Sequence, residues 1–232
     1  MNATELGIES STINQRVYSR LCELLAHGQW GPNERLDERL LAEQLGVSRT
    51  PLREAFTRLA SDGVVRHRPY QGNFVRTFTP QQVDDLYEVR KSLEVLAVRS
   101  ACERATDTEV VQLRLTVDSC HEALDDGDLE AFEEADRKFH SLIVEYARNE
   151  SLSASLRILN LHVQLVRQVA NQEPTLREHT RAHRDGVVEA ITRRDSQRAA
   201  DFLAEHIADV QTSVLQQMEE HEELRAKVSG NA

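Results

Sequence analysis

Cysteine is scarce in this chain and does not pair. Cys22, Cys102 and Cys120 are its three cysteines in 232 residues. An odd number with no CxxC spacing argues against a disulfide framework and a zinc-thiolate site. Small buried positions on helices are their expected place. Proline and glycine are few as well, five and nine, and runs that alternate polar with apolar residues are rare, so a mostly helical protein is expected. No apolar stretch approaches the roughly 20 residues that cross a bilayer. The opening MNATELGIESST lacks the basic-then-apolar layout of a signal peptide, so a cytoplasmic location is expected. There is no HExxH motif and no nucleophile elbow, which leaves little support for an enzyme.

Positive charge is the minority, with 28 Lys+Arg against 39 Asp+Glu for a formal net charge of -11. The deficit is uneven. Residues 1–78 hold 10 Lys+Arg and 9 Asp+Glu, net +1, and the remainder holds 18 and 30, net -12. Within the first part, Val47 to Arg76 carries six arginines against Glu54 and Asp62, a local charge of +4 suited to a polyanion. The boundary falls near Phe78-Thr79-Pro80. The expected division is a polyanion-binding domain over 1–78, an acidic domain over 79–222, and a polar tail over 223–232.

Periodicity gives the first domain its elements. Ile13, Val17, Leu21, Leu24 and Leu25 recur at three- and four-residue steps and predict an amphipathic helix from Thr12 to His27. A second, short helix starts after the N-cap candidate Asp37, carries Leu40, Leu41 and Leu45, and stops at Gly46. A third follows, with Ser48 placed to cap it, Pro51 tolerable in its first turn, and Leu52, Ala55, Phe56 and Leu59 as its buried stripe. Val64 to His67 and Asn73 to Arg76 flank the turn-forming Pro69-Tyr70-Gln71-Gly72 and read as a β-hairpin. Three helices and a hairpin make a winged helix-turn-helix. The stripe leaves Arg49 and Arg53, with the hydroxyls of Ser48 and Thr50, at the solvent-facing N-terminal end of the third helix. There arginine can make a bidentate contact to guanine in the major groove.

The run ERLLAEQLGVSRTPLREAFTRLASDGVVRHRPYQGNFV resembles the winged-helix signature of the GntR family of bacterial transcription regulators. The segments LYEVRKSLEVLAVRSA, ADRKFHSLI and HRDGVVEAITRRD, and the last helix with EHI, resemble the helical FCD effector domain of its FadR-type subfamily. The resemblance implies that Arg39, Arg49, Arg53 and the wing glycine Gly72 stand at DNA-contacting positions, with Ser48, Thr50 and Gln71 close by. It also implies a homodimer on a palindromic DNA operator, most often as a repressor, responding to a small organic acid.

Beyond Thr79 the apolar pattern is helical nearly throughout. Six helices are expected, closing an antiparallel bundle able to enclose a pocket, the first with Val83, Leu86, Val89, Leu93, Leu96 and Ala97 as its stripe. Asp136 and His140 are four apart and project from one helical face, beside Phe139 and Ile143. His183 and His206 lie on later helices. One carboxylate and three imidazoles suit zinc, nickel or another divalent ion, although scattered histidines are more often surface or satisfied core residues. The resemblance adds that many relatives bind a divalent metal through an Asp-x-x-x-His pair and two later histidines, which matches Asp136, His140, His183 and His206. One departure stands out. HRDGVVEAI has one residue more than the family pattern between His183 and Val187, and one residue turns a helical side chain by about 100°. A bulge near Gly186 would restore His183, or His179 would replace it. Arg90, in the family's R-x-x-x-E pattern with Glu94, is the candidate clamp for the acid; Arg137, Arg157 and Arg167 are further candidates, and His162 is expected as a satisfied core histidine, with a place in the pocket lining as the alternative. A metal-dependent hydrolase, a metal sensor and a structural metal are the rival readings.

Overall fold

The computed structural model describes the backbone of residues 11–170 and 174–229 and the side chains of residues 13–167 and 180–220. The chain divides into two compact units, one formed by the residues up to 78 together with 161–169, the other by 79–160 and those from 170 on.

The first unit is a winged helix. Helices α1 (Ser11–Ala26), α2 (Glu38–Leu45) and α3 (Arg49–Ser61) are followed by strands β2 (Val65–Arg68) and β3 (Gly72–Val75). The sheet has a third member that the sequence did not announce, β1 (Arg35–Leu36), and its order is β1-β3-β2, antiparallel throughout. Two residues between a proline-containing turn and a helix cap show no alternation, so β1 is defined only by its partners Phe74 and Asn73. Leu21, Leu25, Leu52, Phe56, Leu59 and Val64 fill the core with almost no exposure.

Local chemistry fixes the turn between α2 and α3. The Asp37 carboxylate accepts the backbone N–H groups of Arg39 and Leu40 at 2.9 and 3.1 Å, which caps α2. Those bonds hold its pKa below the ordinary 3.8. Gly46 closes the helix at φ 64°, the left-handed region that glycine enters without strain. Ser48 has the extended backbone of an N-cap, yet its side chain makes no cap hydrogen bond, so the hydroxyl is not committed to the helix it precedes.

His162, on α7 (Glu150–Ala170), is counted with this first unit. Its Nε2–H donates to the Asp62 carbonyl at 2.8 Å and its ring lies 5.6 Å from that of Phe78. Burial, partly offset by that hydrogen bond, lowers its pKa. It is a satisfied histidine outside the helical unit.

The second unit is built from α4 (Pro80–Arg104), α5 (Asp107–Asp125), α6 (Leu129–Tyr146), α8 (Pro174–Thr192) and α9 (Ser196–Ser229), with the first part of α7. Capping boxes start α4 and α5: Thr79 with Gln82, and Thr106 with Glu109. α4 packs on α9, α6 and α8; α5 packs on α6 and α8; α8 packs on α9. α9 continues as helix through the segment expected as a polar tail, to Ser229.

The buried stripe of α4 differs from the expected one. Val89 and Leu96 are about half exposed, at 49% and 48%, whereas Arg90 and Glu94 are buried at 3% and 1%. Apolar periodicity alone places such charges outside. Here they are buried because Arg90 Nε donates to Glu94 Oε1 at 2.6 Å, so each charge is neutralised within its own helix.

Candidate DNA interface and buried polar site

The head brings the expected basic residues to one place. Arg39, Ser48, Arg49, Thr50, Arg53 and Gln71 are all exposed. A cleft of about 230 Å³ is lined by Arg35, Asp37, Arg39, Arg49, Arg53 and Gly72 among others. The start of α3, the start of α2 and the base of the wing therefore share a single surface. Gly72 has φ 103°, where an L side chain is strained, and a Cβ there would stand 3.5 Å from Arg35 Nε. The wing backbone thus runs beside Arg35, a cation that sequence patterning did not single out. Glu38 ties these parts together: it accepts from Arg53 Nε at 3.2 Å and from Asn73 Nδ2 at 3.0 Å. Tyr70, at φ 63° and fully exposed, forms the tip of the wing.

The second site is buried. Asp136 and His140 lie on the inner face of α6 with Phe132, Phe139 and Ile143, and His206 lies on the inner face of α9 with Leu203, Ile207 and Val210. One potential ligand atom from each of Asp136, His140 and His206 falls within 4.8 Å of the others, a grouping of the kind that could hold a metal ion.

His183 does not join them. Its ring nitrogens lie 3.6 Å from Glu205 and from Asp209 on α9, and its side chain is partly exposed. α8 runs as unbroken helix through Gly186, so no bulge restores its register. Gly186 serves close approach instead, because a Cβ there would come within 2.7 Å of the Phe202 ring on α9. The residue that reaches the cluster is the next one, Arg184, 2% exposed. Its Nε and Nη2 both donate to Asp136 Oδ1, at 3.0 and 2.8 Å, and its guanidinium lies over the Phe132 ring at 5.0 Å. Thr180, Arg184, Val187, Val188 and Ile191 form the buried face of α8, so Arg184 is in phase with the apolar run and His183 is one step off. The side chain of His179 lies outside the described residues.

Arg90 belongs to the same cluster. His140 Nδ1–H donates to Glu94 Oε2 at 2.5 Å, and Arg90 Nη2 donates to His140 Nε2 at 3.3 Å. Burial alone would raise the Glu94 pKa, but the adjacent Arg90 and His140 outweigh it and hold it at about 2. Burial, followed by the charge of Arg184 and the presence of His140, pushes His206 well below its ordinary 6.5, so its imidazole is neutral. Arg137 pairs with Glu134 on its own helix, Arg157 is exposed, and Arg167 is counted with the other unit.

A divalent ion on Asp136, His140 and His206 would face the charge of Arg184. Two guanidiniums already balance the carboxylates of Asp136 and Glu94. An ion bonded to Asp136 at the usual distance of about 2 Å would stand within about 5 Å of the Arg184 nitrogen, and each unit of its charge would meet about 3 kcal/mol of repulsion. Arginine cannot relieve this by losing its proton. Two polar atoms of the cluster remain without a hydrogen-bond partner, Arg184 Nη1 and His206 Nδ1. Burying such groups unpaired costs on the order of 1–3 kcal/mol each.

A winged helix with an exposed arginine-bearing recognition helix, on the same chain as an all-helical unit with a buried polar site, defines a DNA-binding regulator with a second domain. Residues 13–75 match the family model of the bacterial regulatory proteins of the gntR family, and residues 85–209 match the FCD domain. The chain belongs to the GntR family and carries its FCD domain: it is a DNA-binding transcriptional regulator, not an enzyme. It is 36% identical over 178 residues to the Nta operon transcriptional regulator of Aminobacter aminovorans, covering 76% of this chain and 82% of that one. It is 27% identical to the transcriptional repressor RspR of Escherichia coli over 90% of this chain and 92% of that one. The solved structure of E. coli McbR/YncC matches with a TM-score of 0.82 at 27% identity, over 89% of this chain and 98% of that chain.

Proposed function

We propose that this regulator is a repressor that binds a palindromic operator as a homodimer and changes its operator affinity when a small organic acid enters the buried site of the helical domain. The observation that carries the reading is that site itself: Asp136, His140, His206, Arg90 and Arg184 gathered in the interior, with two nitrogens of the cluster unpartnered. Buried polar groups are ordinarily satisfied, and a ligand would satisfy these. The head residues Arg39, Ser48, Arg49, Thr50, Arg53, Gln71 and Gly72 are assigned to DNA: the arginines of α3 to base edges, Arg39 and the wing to the neighbouring phosphates. Arg90 is assigned to positioning His140 rather than to gripping the acid, on the hydrogen bond between them.

Dimerisation is supported by half-exposed apolar side chains, Val89 and Leu96 seven residues apart on α4 and Val111 and Leu115 four apart on α5. Symmetry of the dimer then calls for a palindromic site. A cytoplasmic location accords with the DNA target, and no described helix is long and apolar enough to cross a membrane.

The test is operator binding by the full chain, followed by fluorescence anisotropy with and without a panel of acetate, succinate and benzoate. An acid that changes the affinity supports the reading, since a ligand shifts an equilibrium only by its differential affinity for the two states. Operator affinity that ignores every acid but tracks free zinc or nickel would favour a second reading, a metal sensor, which the grouping of Asp136, His140 and His206 supports.

A further inference from the structure

The helical domain contains a buried cation that no metal is needed to supply. Arg184 holds the place on α8 that the apolar phase of Val187, Val188 and Ile191 directs inward, and it uses only Nε and Nη2 on Asp136. Its remaining nitrogen, Nη1, is buried without a partner, as is Nδ1 of His206, and both belong to one cluster because each residue's charged or ligating atoms lie beside Asp136.

We propose that Arg184 takes over the part a metal ion would play, and that Arg184 Nη1 together with His206 Nδ1–H receives a carboxylate of the effector directly, in a site that works without any divalent ion. The inference rests on reading the helical domain as the effector domain. Its chemistry is specific. A guanidinium is planar, always charged, and presents donors in a fixed fork that matches the two oxygens of a carboxylate. Asp136 and the Phe132 ring hold that fork in one orientation, so the free edge is set before the ligand arrives. The Glu94, His140 and Arg90 chain fixes the neighbouring wall, with every donor of the His140 ring already engaged. The selected ligand class is a small carboxylic acid of one or more carboxylates. An acid that depends on chelating a metal through adjacent oxygens gains nothing here.

The experiment uses the full chain, whose metal content is measured by mass spectrometry as purified. Chelator and dialysis then remove any metal, and thermal stability is measured with acetate, succinate and benzoate, before and after adding zinc or nickel. The expected result is well under one metal ion per chain as purified, stabilisation by at least one acid in the presence of chelator, and no increase when metal is added. The variant R184H, which would place an imidazole beside Asp136, His140 and His206, is expected to gain about one zinc or nickel per chain and to lose the metal-free response. One tightly held metal per wild-type chain, with an acid response that disappears on chelation, overturns this inference while leaving the effector-domain reading intact. No response to any acid with or without metal overturns both. The wild-type measurements stand even if R184H does not fold.

Discussion

The two units use arginine in opposite ways. In the head, Arg39, Arg49 and Arg53 are exposed and line one cleft. In the helical unit, Arg90 and Arg184 are 3% and 2% exposed and bound to carboxylates and an imidazole of the interior. An exposed guanidinium loses little by staying in water and waits for a phosphate or a base. A buried one must be neutralised as the chain folds, so it becomes part of the structure and a fixed charge for whatever enters beside it. The net charge of -11 conceals both arrangements.

Removing a partner separates the two cases most strongly. Asp136→Ala leaves Arg184 buried without its carboxylate and should cost about 3–5 kcal/mol, lowering the melting temperature by roughly 6–20 °C in a chain of this size, as followed by circular dichroism. A loss under about 1 kcal/mol would mean that the pair is hydrated and the interior site is open. Arg49→Ala in the head should leave the melting temperature nearly unchanged and weaken operator binding by about 1–3 kcal/mol, roughly 5- to 150-fold. Unchanged affinity would remove α3 from the interface.

Gly186→Ala probes how the interior site is shaped. Its Cβ would meet the Phe202 ring at 2.7 Å, so α8 must shift from α9 or the ring must turn, at a cost of about 1–3 kcal/mol. A thermal melt measures the cost, and the acid response should weaken with it because Arg184 rides on the same helix.

The smallest effect belongs to the head. Asp37 has its pKa lowered by the hydrogen bonds from Leu40 and Arg39, so its cap stabilises α2 fully above the ordinary value of 3.8 and loses strength as pH falls through the lowered one. Asp37→Asn caps without titrating. Wild type should therefore lose more stability than D37N as pH falls below the ordinary Asp value of about 4, and parallel acid melts would contradict the cap assignment.

Legibility followed the same division. The head could be read because its helices bury leucine at regular steps and its arginines fall on the face left over, so Leu52, Ala55, Phe56 and Leu59 pointed inward as periodicity required. β1 could not be read, since a two-residue strand is defined by Phe74 and Asn73 across from it. On α4, periodicity chose Val89 and Leu96 for the interior where Arg90 and Glu94 lie, because hydropathy does not register that two opposite charges four residues apart neutralise each other. The Asp136 and His140 face was legible from Phe139 and Ile143. Arg184 was not chosen, although its signal was present: it stands three and four residues before Val187 and Val188, in phase with Ile191, while the matching histidine one position earlier drew the assignment.

The central claim is that a fixed guanidinium in the interior of one unit governs the exposed guanidiniums of the other. Fluorescence anisotropy of the full chain on an operator it selects from random DNA, in chelator throughout, with and without the acid that stabilises it most, tests this directly. The account predicts an acid-dependent change in affinity that is lost in Arg184→Met. An affinity that responds to the acid only after zinc or nickel is restored, or equally in Arg184→Met, would contradict it.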